Sequence, residues 1–106
     1  MSAQQILDDN FELKNNSFLY FLRDKSTFKR DALKDLCVSI RDLAEEEVMI
    51  SLNAQKINFI YAEVLKCVLY HFDPNDKFQI ENLPENYNKQ LAQLEKFVYF
   101  YFKTRI

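Results

Sequence analysis

An all-α fold, a compact bundle of about four to five helices with no sheet, is predicted by three features of this 106-residue sequence. The chain contains no Gly, where average usage would supply about seven. Primed hairpin turns, phosphate-cradling loops and Rossmann turns lean on Gly, because they need φ > 0 or a close backbone approach. A chain without it is therefore a poor candidate for a β-rich or nucleotide-binding fold. Apolar residues recur at steps of three and four over much of the sequence, the period of an amphipathic helix. The segments between them are built from Asn, Asp, Ser and Pro, which favour caps, turns and helix ends.

The length suits one domain, residues 1–106, able to bury a core without staples. Hydrophobic residues make up 48% and charged residues 28%, a globular balance. The net charge of −2 and the pI near 5.4 leave no polybasic footprint for nucleic acid. Lys25, Lys29, Arg30 and Lys34 do cluster, but Asp24, Asp31 and Asp35 interleave with them and cancel the field. Cys37 and Cys67 form no CxxC pair and read as small core residues of a reducing compartment. The N-terminal "MSAQQILDDNFELK" lacks the basic and apolar regions of a signal peptide. No stretch reaches the eighteen or so apolar residues of a membrane span. A cytoplasmic protein is expected.

The elements follow in order. Ser2 and Gln5 fit a capping box, and Ile6, Leu7, Phe11 and Leu13 make the first stripe. "NNS" at 15–17 interrupts it, and "SFLYFLRD" reads as one or two buried helical turns. Ser26 or Thr27 is the expected N-cap of the next helix, whose face is Phe28, Ala32, Leu36, Ile40 and Leu43. A break is expected around Ser51 to Asn53, with Asn53 as a new N-cap. The helix after it, with Ile57, Ile60, Tyr61, Val64, Leu65, Val68, Leu69 and Phe72, is apolar over more than a third of its circumference. Such a helix is expected in the middle of the bundle. Asp73-Pro74 ends it, since the residue before Pro is pushed away from αR. Residues 73–83 form the long connection. Pro84 suits the first turn of a last helix, whose face is Tyr87, Leu91, Leu94, Val98 and Tyr101.

Enzyme chemistry finds little support in this sequence. His71, the only histidine, stands two residues from Asp73, but nothing local supplies a nucleophile or an oxyanion site. One His with two distant Cys is a poor zinc set. "DPND" lacks the alternating oxygen ligands, the central Gly and the twelfth-position Glu of a calcium loop. No cofactor, metal or catalytic set is expected. Two acidic stretches remain as candidate contact surfaces. Glu45, Glu46 and Glu47 form a local block, either a solvated helix face or a patch for a basic partner. Asp73, Asp76, Glu81 and Glu85 stand against Lys77 alone on a connection, where function concentrates. Tyr87 follows as an aromatic anchor, with large area and a polar tip.

The chain ends in "EKFVYFYFKTRI". "FVYFYF" has strand composition, yet Val98 and Tyr101 continue the phase of Leu91 and Leu94, so helix is the better reading. Six consecutive apolar residues cover every side of a helix. Phe97 and Phe100, or Tyr99 and Phe102, are left for "SFLYFL" to wrap or for an interface such as a homodimer. The basic face of a membrane-surface helix is absent.

The stretch "VLYHFDPNDKFQIENLPENYNKQLAQLEKF" (68–97) resembles the small helical bacterial immunity proteins that neutralise colicin-type or contact-dependent toxins. The resemblance is to an aromatic helix end, an acidic loop and a return helix. It implies a cognate toxin, nuclease-type, with Asp73, Asp76, Glu81 and Glu85 facing its basic cleft. Two other classes stand beside it. One is a helical adaptor or regulatory subunit that homodimerises through Phe97, Tyr99 and Phe100, and the other, least supported by the residues, is an enzyme.

Overall fold

The computed structural model describes residues 2–46 and 51–103. Its described residues form five helices and no strand, so the all-α expectation holds. The first, α1 (Ala3–Glu12), is capped by Ser2, whose hydroxyl accepts from Gln5 N–H at 3.0 Å. The reciprocal half of the expected capping box is replaced. Gln5 turns its amide to the Asp9 carboxylate at 2.7 Å, a partner one helical turn on.

Without Gly, the reversal after α1 falls to Leu13, Asn15 and Asn16, with φ of 58°, 57° and 61°. Asn tolerates the left-handed region because its short polar side chain can hydrogen-bond locally. The Leu13 N–H to Asn10 C=O and Lys14 N–H to Asp9 C=O bonds close a Schellman motif. Helix α2 (Phe18–Asp24) follows with Ser17 as N-cap, as "NNS" predicts.

The start of α3 (Arg30–Glu45) differs from expectation. Lys29 occupies the N-cap position and makes no side-chain cap. Ser26 sits at φ 52° and gives its carbonyl to Glu81 N–H at 2.8 Å. Ser26 and Phe28 are spent on contacts with Glu81 and Asn82 of the 73–83 connection, Thr27 bonds back to Phe21 and Lys25, and the helix starts only after them. Tertiary pairing has overridden a good local cap signal.

Helix α4 (Ser51–Phe72) starts with Asn53 already inside its first turn. Asn53 is therefore not a cap. It is 3% exposed and exchanges two amide hydrogen bonds with Gln4, at 2.9 and 3.0 Å, tying α4 to α1. Beside this pair the Lys56 ammonium meets the Asp8 carboxylate at 2.7 Å. Burial alone would raise the Asp8 pKa, but hydrogen bonds from Lys56 and Gln4 outweigh it and hold the group below its ordinary 3.8. A carboxylate depressed in the fold stabilises above its unfolded pKa and loses that contribution as pH falls through the folded value. With Asp8 about a third exposed the effect on stability is small. Its direction is testable by carboxyl NMR titration, which should show Asp8 titrating higher in Lys56→Met than in the parent.

Helices α3 and α4 each lie against α1, α2 and α5 (Tyr87–Lys103), so the middle of the bundle is shared rather than held by α4 alone. Helix α4 buries Ile57, Ile60, Val64 and Cys67, while Leu69 and Phe72 remain 68% and 55% exposed. Its extra apolar residues face outward near its C-terminal end.

Pro84 comes before the last helix rather than in its first turn. Its carbonyl accepts from Tyr87 N–H at 3.0 Å, and the Asn86 carbonyl then takes Lys89 and Gln90 N–H. The predicted inner face of α5 is right. Leu94, Val98 and Tyr101 are buried, and Tyr87 and Leu91 pack against the same core. No helix among the described residues is long and apolar enough to cross a membrane.

Candidate protein interface

The residues of the 73–83 connection are held in place by their own side chains. The Asp73 carboxylate accepts from Asn75 N–H at 2.9 Å, and the Asp76 carboxylate from Phe78 N–H at 2.8 Å. These are Asx turns, which let the chain bend sharply without Gly. Ile80 N–H donates to His71 Nδ1 at 2.8 Å, so that nitrogen is an acceptor and the imidazole proton sits on Nε2. His71 thus acts as a loop anchor at the end of α4.

Farther along, Ile80 is buried at 3% exposure, and Asn82 grips the backbone of Phe28. Its Oδ1 accepts from Phe28 N–H at 2.6 Å and its Nδ2 donates to Phe28 C=O at 3.0 Å. Together with the Glu81 N–H bond to Ser26 C=O, this clasp ties the α4–α5 connection to the α2–α3 connection. The acidic segment is a pinned surface.

Four carboxylates are presented there in two ways. Asp73 and Asp76 each use an oxygen to build the loop. Glu81 and Glu85 are exposed, and their carboxylates have no side-chain partner among the described residues. Next to them stands an aromatic cluster, with the Phe72 and Tyr87 rings 5.3 Å apart between centroids. Leu69 lies one turn before Phe72 on the same helix face. The arrangement is an apolar platform beside a row of free charges.

The second acidic block is not part of this surface. Glu45 and Glu46 are exposed at the far end of α3, and Glu47 lies outside the described residues. Phe28, just before α3, is clasped by the loop, while Glu45 ends the 16-residue helix, about 23 Å from its first residue at 1.5 Å per residue. The C-terminal aromatics are likewise distant from the loop. Phe97 is half-buried, Phe100 is 38% exposed and Tyr99 is 67% exposed. The "SFLYFL" segment, as α2, packs on α1, α3 and α4, and its position leaves Tyr99 open.

Leu69, Phe72 and Asn82 were not among the residues the sequence singled out for this surface. A signal for the first two exists, since α4 carries more apolar circumference than one core face needs. Nothing local marks Asn82, because its partner is 54 positions away.

The remaining reactive groups are quiet. Cys37 and Cys67 are free and buried, and burial pushes both thiols up to about 11. Among the described residues no group of three or more His, Cys, Asp or Glu is placed to hold a metal ion. Comparison with family models, with curated proteins and with solved structures gives no match to this chain.

Proposed function

We propose that this chain is a non-enzymatic protein-binding module, an inhibitor of the immunity type, that blocks a basic, nuclease-type bacterial toxin in the cytoplasm. The observation that carries this reading is the pinned acidic loop with free Glu81 and Glu85 beside the exposed Phe72, which packs on the half-buried Tyr87. Interfaces draw most of their energy from a few large aromatic anchors in a fixed setting. Complementary charge raises the rate of encounter and selects the partner. A preformed loop adds to this by lowering the ordering cost of binding. His71 as a hydrogen-bond acceptor and thiols held protonated by burial are consistent with a role other than catalysis.

The test uses the product of a toxin reading frame adjacent to the gene as the probe, titrated calorimetrically against the purified protein. Binding should weaken at least tenfold between low and high salt, because surface charge pairs are screened. Glu81→Lys/Glu85→Lys should weaken it further, and Phe72→Ala should remove about 2 kcal/mol or more, as for an interface hot spot. Affinity that survives all three changes, or a neighbouring operon with no toxin whatever, overturns the reading.

A further inference from the structure

The C-terminal aromatics lie in a groove whose other wall is α3. Arg30, Lys34 and Cys37 share one surface depression with Gln90, Gln93 and Phe97. Arg41 and Glu45 share the next with Phe97, Phe100 and Lys103. The numbers rise together, so α3 and α5 run side by side in the same direction. Glu45 and Lys103 then stand at about the same height on opposite walls, with the Tyr99 and Phe100 rings between them.

The two walls differ in charge. At the level of the second depression Arg41 is already held by Asp42 at 3.1 Å, which leaves Glu45 as the free charge of the α3 wall at that height, while lower down the wall carries Arg30, Asp31 and Lys34 opposite Gln90 and Gln93. The α5 wall carries Lys96 and Lys103. Lys96 lies over the Phe97 ring at 5.9 Å, and neither lysine nor Glu45 forms an ion pair among the described residues. A two-fold axis parallel to the helices exchanges the α3 wall for the α5 wall at constant height. Under that operation Glu45 of one copy faces Lys103 of the other, Arg30 and Lys34 face the neutral Gln90 and Gln93, and the aromatic floors meet. Self-complementarity of this kind is what an isologous interface requires.

We propose that the groove is closed by the same groove of a second copy, forming a two-fold dimer in which Tyr99 and Phe100 pack across the axis. Each Glu45 then pairs with Lys103 of the other copy. This interface is at the opposite end of α5 from the acidic loop, so the dimer leaves both loops open.

The experiment is sedimentation velocity of the full chain over a concentration series reaching high micromolar. A mass twice 12.7 kDa is expected at the upper end. Tyr99→Ser/Phe100→Ser, both at exposed positions, should return a monomer with an unchanged helical circular dichroism spectrum. Glu45→Lys or Lys103→Glu alone should weaken the dimer about tenfold, and the two together should restore it, the signature of direct coupling. Glu81→Lys/Glu85→Lys should leave the dimer intact, which separates this proposal from the function proposed above. A monomer at every concentration overturns it, as does a dimer indifferent to the aromatic pair or a double swap without rescue. Binding to vesicles of phosphatidylglycerol and phosphatidylcholine through Lys96 and Lys103, with no dimer, also overturns it and assigns the groove to an anionic surface.

Discussion

Phe18→Ala is expected to lower stability by about 4 kcal/mol, the middle of the range for removing a buried aromatic ring. Phe18 is 0% exposed and meets Phe28 edge to face, with centroids 5.2 Å apart. Its loss removes the transfer energy of the ring, leaves a cavity among α1, α2 and α3, and deletes an aromatic pair. A domain of this size has about 5–15 kcal/mol in total, so the variant should unfold at a much lower urea concentration. Phe18→Leu keeps most of the volume and should cost less than about 1.5 kcal/mol. Urea melts followed by circular dichroism at equal m-value check both figures. A loss below 1 kcal/mol for the Ala variant would mean that this site is not packed as described.

Asn82→Ala is expected to have the second-largest effect, about 2–3 kcal/mol. Truncation leaves the N–H and C=O of Phe28 without their clasp, and Phe28 is only 3% exposed. Unpaired buried polar groups cost about 1–3 kcal/mol each, less whatever water recovers. The consequence is also local. Hydrogen exchange of Ile80 and Glu81 N–H, which donate to His71 and to Ser26, should speed up before the rest of the core opens. Because Asn82 and Phe18 both act on Phe28, the double variant should lose less than the sum of the singles. Partner binding should weaken as well, since the loop that carries Glu81 would have to be ordered again on contact.

The sequence makes the outline of the fold legible where a residue's role depends on its near neighbours. The Ser2 and Ser17 caps, the stop at Asp73-Pro74 and the inner face of α5 are all local matters, set by hydrogen bonds within one turn or by a period of 3.6 residues. Two other local signals misled. Ser26 and Thr27 look like caps and Asn53 looks like one, yet each is engaged elsewhere. The Ser26 backbone carbonyl accepts from Glu81 N–H, 55 positions off, the Thr27 hydroxyl turns back to the Lys25 carbonyl, and the Asn53 amide bonds to Gln4, 49 positions off. The Asn53 side chain takes the partner that also satisfies the Gln4 amide, and only the packed structure offers that option.

The candidate sites divide in the same way. The acidity of the 73–85 segment and the excess of aromatics at the C-terminus can be read from composition alone. Which acids are free is another matter. Asp73 and Asp76 are spent on Asx turns, while Glu81 and Glu85 are not. Composition also groups the two acidic blocks as one kind of surface, whereas α3 separates them by its length and places Glu45 opposite two lysines.

By itself, then, the sequence determined an all-helical chain, some of its helix ends and the charge and apolar character of its segments, because these depend on residue type and short-range spacing. Tertiary structure decided that α3 shares the centre with α4, that one acidic segment is clasped to the α2–α3 connection, and that Tyr99 stays open to solvent. Those outcomes depend on contacts between residues about fifty positions apart, such as Asn82 with Phe28. No local pattern records a pairing whose free energy appears only when both partners are buried together.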